Sequence, residues 1–322
     1  MDQKLKIGVV GAGHLGKIHL RLLQESEAYD LVGFYDSQPQ IAAKISREFG
    51  YRSFSDVSSL FESVDVIDIV TPTLSHFEYA KKSLESGLHV FLEKPITATV
   101  EEANELVSLA KTKGLLGMVG QVERFNPAFM AASPYIQNPM FIETHRLAEF
   151  NPRGTDVSVV LDLMIHDIDA ILSVVNSKVI DLQASGVSII SETPDIANAR
   201  LRFENGCVAN LTASRISMKT MRKSRFFQRD AYVSVDFFEK KAEVVRMQKA
   251  PDNPEDFAMI LENAEGVKKQ IFFDNPEVNE GNAILMELEH FADAIRNNKE
   301  PAVSLQAGTS ALEVGYQILN CF

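Results

Sequence analysis

The chain has no tryptophan, and only two of its 322 residues are cysteine. Cys207 and Cys321 lie far apart in sequence and match neither a disulfide framework nor a metal-ligand spacing, which points to a reducing compartment. Positive charge is also scarce: 32 Lys and Arg against 44 Asp and Glu give a net charge of −12 with neutral histidine. That surplus excludes nucleic acid and anionic membrane as main partners, because both are polyanions. No apolar run reaches the ~18 residues of a membrane span, and the opening Met1-Asp2-Gln3-Lys4 lacks the apolar stretch of a secretory signal. These absences predict a cytoplasmic protein. Hydrophobic residues at 45% and charged residues at 24% are ordinary globular usage, which excludes disordered, collagenous and coiled-coil chains. At ~150 residues per domain the length predicts two domains.

The first third alternates between two periods. Leu5 to Val10, Leu31 to Tyr35, Val66 to Val70, Leu88 to Leu92 and Leu115 to Val119 are short apolar runs that read as strands. Between them His14 to Gln24, Pro39 to Phe49, Ser75 to Ser86 and Val100 to Lys113 follow helical spacing, the last opened by Thr99 with Glu102 in a capping box. Strands alternating with helices predict βαβ units and a mostly parallel sheet covered on both faces.

The remainder has another pattern. Leu161 to Val175 reads as one amphipathic helix. Asn198 to Phe203 and Cys207 to Ala213 alternate about Asn205-Gly206, a hairpin signal. Tyr232 to Phe238, Ala242 to Met247, Phe257 to Leu261 and Val267 to Phe273 are further strand-like stretches, and two helices, Ala283 to Asn297 and Leu305 to Leu319, close the chain. The predicted fold class is α/β. A Rossmann-type doubly wound parallel sheet over 1–122 is followed by an α+β domain on a large, mostly antiparallel open sheet over 123–322.

The strongest local motif is Gly11-Ala12-Gly13-His14-Leu15-Gly16. It follows a predicted strand, opens a predicted helix, and is followed by Asp36 at the end of the next strand, which makes it a dinucleotide fingerprint. Gly11 permits the tight turn, Gly13 lets the backbone approach a pyrophosphate, and Gly16 allows close packing of helix on strand. The helix N-terminus, at His14 and Leu15, offers N–H groups and a positive dipole end to phosphates. Asp36 can accept hydrogen bonds from a ribose 2′-hydroxyl and would repel a 2′-phosphate, and Ser37-Gln38 supplies no arginine, so NAD is favoured over NADP. Glu93-Lys94-Pro95 ends a parallel strand, where ligands of open α/β sheets bind; there a lysine can donate to a substrate oxygen, and partial burial would lower its pKa. The competing reading is a surface lysine in a turn. Asp162 and His166, four apart, share a helix face in a segment that also holds Asp167 and Asp169. General acid–base chemistry, a satisfied core histidine and a metal site are its three readings, the last lacking a third ligand at recognisable spacing.

Together, Gly11-x-Gly13-x-x-Gly16-x-x-His19, Thr71-Pro72 with His76, Glu93-Lys94-Pro95 and Asp162-x-x-x-His166 resemble the glucose-fructose oxidoreductase / inositol dehydrogenase / MocA-type family, as do the closing helices around Glu287, Phe291 and Pro301. The resemblance implies a Rossmann domain followed by an α/β domain whose open sheet often serves oligomer contacts, here a homodimer or homotetramer. It implies that Lys94, Asp162 and His166 are catalytic and face the nicotinamide and the reacting carbinol. Thr71, Pro72, His76 and Glu93 then join the glycine motif in holding the cofactor. Members are usually NAD(P)-dependent oxidoreductases of sugars or cyclitols.

Two segments, Val119 to Ala128 and His145 to Asp156, look similar to members that oxidise the 3-hydroxyl of UDP-N-acetylglucosamine on the way to a 3-amino sugar for lipid A or another surface glycan. They carry Arg124, Asn126, Arg146 and Arg153 as candidates for the substrate; the arginines could pair with a diphosphate or with sugar hydroxyls, or else form structural salt bridges. The expected activity is NAD-dependent oxidation of a secondary hydroxyl of a UDP-N-acetylhexosamine. Its alternatives are a free sugar or inositol, and, in another class, a dinucleotide sensor without catalysis. The basic run Arg215, Lys219, Arg222, Lys223, Arg225 and Arg229 reads as a solvated strand edge blunted by charge, with a site for a nucleotide diphosphate or for an acidic neighbouring subunit as the alternative.

Overall fold

The computed structural model describes residues 4–151, 157–251 and 258–322. The first run of the chain alternates strands with helices: β1 (Leu5–Val10), α1 (His14–Glu25), β2 (Tyr29–Tyr35), α2 (Pro39–Phe49) and a short α3 (Val57–Phe61), β3 (Val66–Ile69), α4 (His76–Glu85), β4 (His89–Glu93), α5 (Val100–Lys113) and β5 (Gly117–Gly120). The five strands form one parallel sheet in the order β2-β1-β3-β4-β5. Ile7, Val9, Val66, Ile67, Ile69, Val90, Phe91 and Leu92 are wholly buried, as expected where helices cover both faces. Helix α2 starts on Pro39 at its first turn and ends at Gly50 in the left-handed region (φ 76°). Helix α5 carries the full capping box: Thr99 accepts from the Glu102 N–H, and Glu102 accepts from the Thr99 N–H.

The next stretch holds α6 (Pro127–Ala132), β6 (Phe141–Leu147), a π turn at Val160–Met164, α7 (Ile165–Val174), β7 (Val179–Val187), β8 (Ile196–Phe203), β9 (Val208–Ser214), β10 (Met221–Gln228), β11 (Ala231–Asp236), β12 (Lys241–Lys249), β13 (Ile260–Glu262) and β14 (Lys268–Asp274). The nine strands form one sheet, β13-β14-β12-β11-β10-β6-β9-β8-β7, in which only β6 and β9 run parallel. One face is apolar and buried, with Ile142, Ala199, Leu201, Phe203, Ala209, Leu211, Phe226, Val233, Val235 and Val244. The Asn205-Gly206 hairpin joins β8 to β9 with Gly206 at φ 88°.

Two helices close the chain, α8 (Ala283–Arg296) and α9 (Leu305–Leu319). The expected single cut after residue 122 is corrected here. One compact unit comprises 1–125 together with 282–313; the other comprises 126–281 with 314–322. The cause lies in side-chain and backbone pairing. Helix α8 packs on α1, β4 and β5, and Tyr29 donates its hydroxyl to the Leu288 carbonyl at 2.9 Å. The Val119 N–H donates to the Val303 carbonyl at 2.9 Å, so the chain beyond α8 lies along the edge of β5.

The basic run is also corrected. Strand β10 is central, paired with β6 on one side and β11 on the other. Arg225 meets Glu143 at 3.0 Å and Lys223 meets Asp236 at 3.0 Å as cross-strand pairs, while Arg215 is buried beside Asp195 and donates to the carbonyls of Val157 and Pro194. A charged strand reads as an edge only until its neighbours carry the opposite charges. No helix among the described residues is long and apolar enough to cross a membrane.

Candidate active site

In the first unit the turn after β1 is shaped by its glycines. Gly11 has φ 97°, and a Cβ there would stand 2.8 Å from the Val70 carbonyl oxygen. A Cβ on Gly16 would stand 2.0 Å from the Gly11 oxygen, so α1 can sit on the turn only with glycine at that position. Gly13 is the opposite case: a Cβ would meet nothing within 4 Å, which leaves open space before the first turn of α1. No side chain caps that helix start, and His14 and Leu15 open it with the backbone N–H groups that a helix N-terminus leaves unpaired. Asp36 ties the second strand to this turn. Its Oδ2 accepts the Ala12 N–H and its Oδ1 accepts the Gln38 N–H, both at 2.8 Å.

The neighbouring loops complete this half. Thr71 follows β3, and its Oγ1 is buried without a hydrogen-bond partner among the described residues. Lys94 leaves the end of β4 half-buried, its N–H 3.3 Å from the Glu93 Oε2. His76, expected to touch the cofactor, is enclosed by backbone carbonyls. Its ring is 1% exposed and lies between two backbone carbonyls, with Nδ1 2.9 Å from Pro95 O and Nε2 2.9 Å from Thr71 O. Burial pushes its pKa down while these carbonyls oppose the shift. It braces the Thr71-Pro72 loop against the Lys94-Pro95 turn. An open glycine cradle, an uncapped helix start, a carboxylate at the end of β2 and an orphaned buried hydroxyl suit a dinucleotide diphosphate with an unphosphorylated ribose.

In the second unit Asp162 and His166 are half-buried, and Asp167 and Asp169 are buried. The expected single helix is present, unbroken from 159 to 174, and it opens with a π-helical stretch: Asp162 lies in that stretch and His166 in the first α-helical turn after it. The wider turn offsets the simple four-residue rule, and such turns are frequent at functional sites. Arg146, a candidate for the substrate, is committed elsewhere. Its Nε and Nη2 donate to the two oxygens of Asp167 at 3.0 and 2.8 Å, inside the unit, with the guanidinium 5.8 Å from the Phe237 ring. Asn126 caps α6 through Oδ1 and donates Nδ2 to the Phe237 carbonyl at 3.0 Å. In the first unit Arg124 donates to the Ala302 carbonyl at 2.9 Å. Arg153 lies outside the described residues. Among the described residues no cluster of His, Cys, Asp and Glu has the arrangement of a metal site.

Residues 5–121 match the oxidoreductase family with an NAD-binding Rossmann fold, and residues 117–228 match the GFO/IDH/MocA C-terminal domain. The chain is 32% identical over 319 residues to UDP-N-acetylglucosamine 3-dehydrogenase of Acidithiobacillus ferrooxidans, covering 98% of this chain and 96% of that one. A solved structure of UDP-N-acetylglucosamine 3-dehydrogenase from that species superposes with a TM-score of 0.88 at 30% identity, covering 99% and 98% of the two chains. The scyllo-inositol 2-dehydrogenase (NAD(+)) of Bacillus subtilis is 27% identical over 343 residues, covering 100% and 95%. A levoglucosan dehydrogenase solved with NADH and levoglucosan shares the fold, with a TM-score of 0.82 at 20% identity and coverage of 99% and 97%. With an NAD-binding Rossmann unit, a second unit on an open nine-stranded sheet and similarity along its whole length, the chain belongs to the Gfo/Idh/MocA family of nicotinamide-dependent oxidoreductases acting on CH–OH groups.

Proposed function

We propose that the enzyme oxidises the 3-hydroxyl of a UDP-N-acetylhexosamine with NAD, in the cytoplasm, for a surface glycan. The observation that carries this reading is the full-length similarity to UDP-N-acetylglucosamine 3-dehydrogenase, joined to a lysine standing half-buried where β4 ends. Gly11, Gly13 and Gly16 shape the cradle for the diphosphate of NAD, Asp36 takes the adenosine ribose, and Thr71 and Glu93 border the remaining path. When bound, NAD supplies the acceptor for the hydrogen and electron pair that leave the carbinol carbon. Lys94 hydrogen-bonds the carbinol oxygen and stabilises its developing negative charge. His166 takes the hydroxyl proton, and Asp162 orients it. The roles of lysine and histidine follow the family resemblance, and Lys94→Ala and His166→Ala each test them. Either substitution should depress kcat by about 100-fold or more while NAD affinity holds. Near-normal turnover in either variant removes that assignment.

Incubation with NAD and UDP-N-acetylglucosamine should produce reduced nicotinamide, and UDP alone should raise the melting temperature. Full-length similarity to scyllo-inositol 2-dehydrogenase favours the second reading, a free cyclitol or sugar. Turnover of inositols with no response to UDP would establish that alternative, and absence of turnover on either class would leave a dinucleotide sensor.

The outer face of the nine-stranded sheet supports a homo-oligomer. Val208, Phe141, Phe227, Tyr232, Val245 and Phe273 stand opposite one another across six strands, an apolar rung on the face away from the core. Phe227 is 38% and Phe273 63% exposed, and a second copy of the chain would cover them.

A further inference from the structure

A buried polar chain runs through the interior of the first unit, and oxidation at a carbinol does not by itself require it. His19 from α1, Asp68 from β3 and Glu93 from β4 are in line: His19 Nδ1 is 2.8 Å from Asp68 Oδ2, and Nε2 is 3.3 Å from Glu93 Oε1. The His19 and Asp68 side chains are wholly buried and that of Glu93 is 13% exposed. Ionisable groups in such surroundings cost free energy unless they are paired. Nδ1 is hydrogen-bonded to Asp68, while Nε2 meets Glu93 at ion-pair distance without hydrogen-bond geometry; with a carboxylate on each side of the ring, the positive charge of an imidazolium is what answers both. Burial alone would push the pKa of His19 down, but Asp68 and then Glu93 outweigh it and hold it well above the usual histidine range. Burial pushes the Asp68 carboxyl up, and the neighbouring ring opposes that. Tyr29, the next titratable group beyond Asp68, is raised by its own burial and donates to the Leu288 carbonyl.

Glu93 is also confined from its other side. It stands opposite Gly120 in the β4–β5 register, and a Cβ on Gly120 would lie 3.0 Å from Glu93 Oε1 and 3.1 Å from its Cδ. Its second oxygen faces the backbone N–H of Lys94 at 3.3 Å. The carboxylate is therefore boxed by an imidazole, a glycine whose Cβ would press on it, and the main chain at Lys94.

We propose that His19 is a positioning residue, an imidazolium clamped between Asp68 and Glu93 that fixes, through the Glu93 carboxylate, the backbone from which Lys94 leaves β4. This rests on the reading of Lys94 as the group that meets the carbinol oxygen. The clamp holds the origin of the lysine side chain still at the point where a shift of ~1 Å costs about 100-fold in rate.

Two independent measurements test it. Nitrogen-15 spectroscopy of the NAD-loaded enzyme, labelled in histidine, should show a ring still protonated on both nitrogens at pH 7, above the ordinary titration of histidine. Its signals are identified by their loss in His19→Gln or, if that variant does not fold, by their displacement in Asp68→Asn. A neutral His19 at pH 7 overturns the proposal. In kinetics, His19→Gln and Gly120→Ala should each lower kcat by about 100-fold with the sugar KM within about two-fold. In a Lys94→Ala background, His19→Gln should change the residual single-turnover rate by less than about two-fold, because its effect passes through the lysine. Full additivity overturns the proposal. A crippled Lys94→Ala beside an unaffected His19→Gln removes the clamp alone, whereas near-normal turnover of Lys94→Ala removes the reading beneath it as well.

Discussion

Arg146 and Asp167 provide a test of what holds α7 to the sheet of the second unit. Both side chains are 3% exposed, and the carboxylate receives two N–H groups at 2.8 and 3.0 Å. Asp167→Asn preserves volume but replaces the charged acceptor of that fork with a neutral amide. Breaking a buried pair from one side costs about 3–5 kcal/mol, much of it the price of a buried charge left behind. In a unit of this size each kcal/mol moves the midpoint by roughly 2–4 °C, so a melt followed by circular dichroism should fall by roughly 6–20 °C. Arg146→Met combined with Asp167→Leu removes both charges and keeps the space filled. That double variant should melt close to the parent, because apolar replacements of buried pairs are often neutral or stabilising. An Arg146 devoted to the sugar would behave otherwise, raising KM while leaving the melt nearly unchanged. A loss below about 1 kcal/mol in Asp167→Asn, the scale of an exposed pair, would refute the reasoning, as would a double variant as crippled as the two singles added together.

Other outcomes follow from single positions. Gly16→Ala would place a Cβ 2.0 Å from the Gly11 oxygen, so calorimetric titration should show NAD binding lost or severely weakened while the second unit still melts as before. Asp36→Ala removes an acceptor for the ribose and two ties within the turn; NAD affinity should fall about 10- to 100-fold, and the preference for NAD over NADP should shrink. Burial alone would raise the Asp195 carboxyl, but N–H groups of Ser191, Ile190 and Ile189 hold it well below the usual range. The stability it contributes is present above the unfolded carboxylate range near pH 4 and is lost as pH falls through the lower folded value, so Asp195→Asn should flatten the acid side of the melting curve. Phe227→Lys with Phe273→Lys should shift sedimentation toward the monomer without moving the far-ultraviolet spectrum, and unchanged sedimentation would separate that face from assembly.

The sequence revealed those parts of the fold whose signal is local. The strand–helix alternation, the capping box at Thr99 and Glu102, and the Asn205-Gly206 turn each rest on neighbours within a few residues, and each is found. What escaped depends on partners distant in the chain. The charges of β10 suggested an edge because Glu143 and Asp236, which pair with them, belong to other strands. Arg146 and Asn126 carried the chemistry of ligand binding, yet a buried aspartate and a helix start claim them. The π-helical stretch repeats its apolar residues much as an α-helix does, so spacing found the helix that Asp162 and His166 share but not its wider first turns. The clamp around His19 did leave one trace: Asp68 is a carboxylate in the middle of the apolar run Val66–Ile69, a position with no polar face to offer it. Asking what charge it meets would have led to the helix behind the strand.

The return of residues 282–313 to the first unit bears on how the chain is made. During synthesis, β5 emerges about 190 residues before Val303 and Ser304 can cover its edge. At the pace of ribosomal elongation that interval lasts roughly 10–40 s. Throughout it the nascent parallel sheet ends in an uncovered strand, the kind of surface that recruits other chains. A chaperone that shields Gly117–Gly120 would bridge that interval, and a message truncated before residue 303 would release a protein whose most exposed weakness is β5.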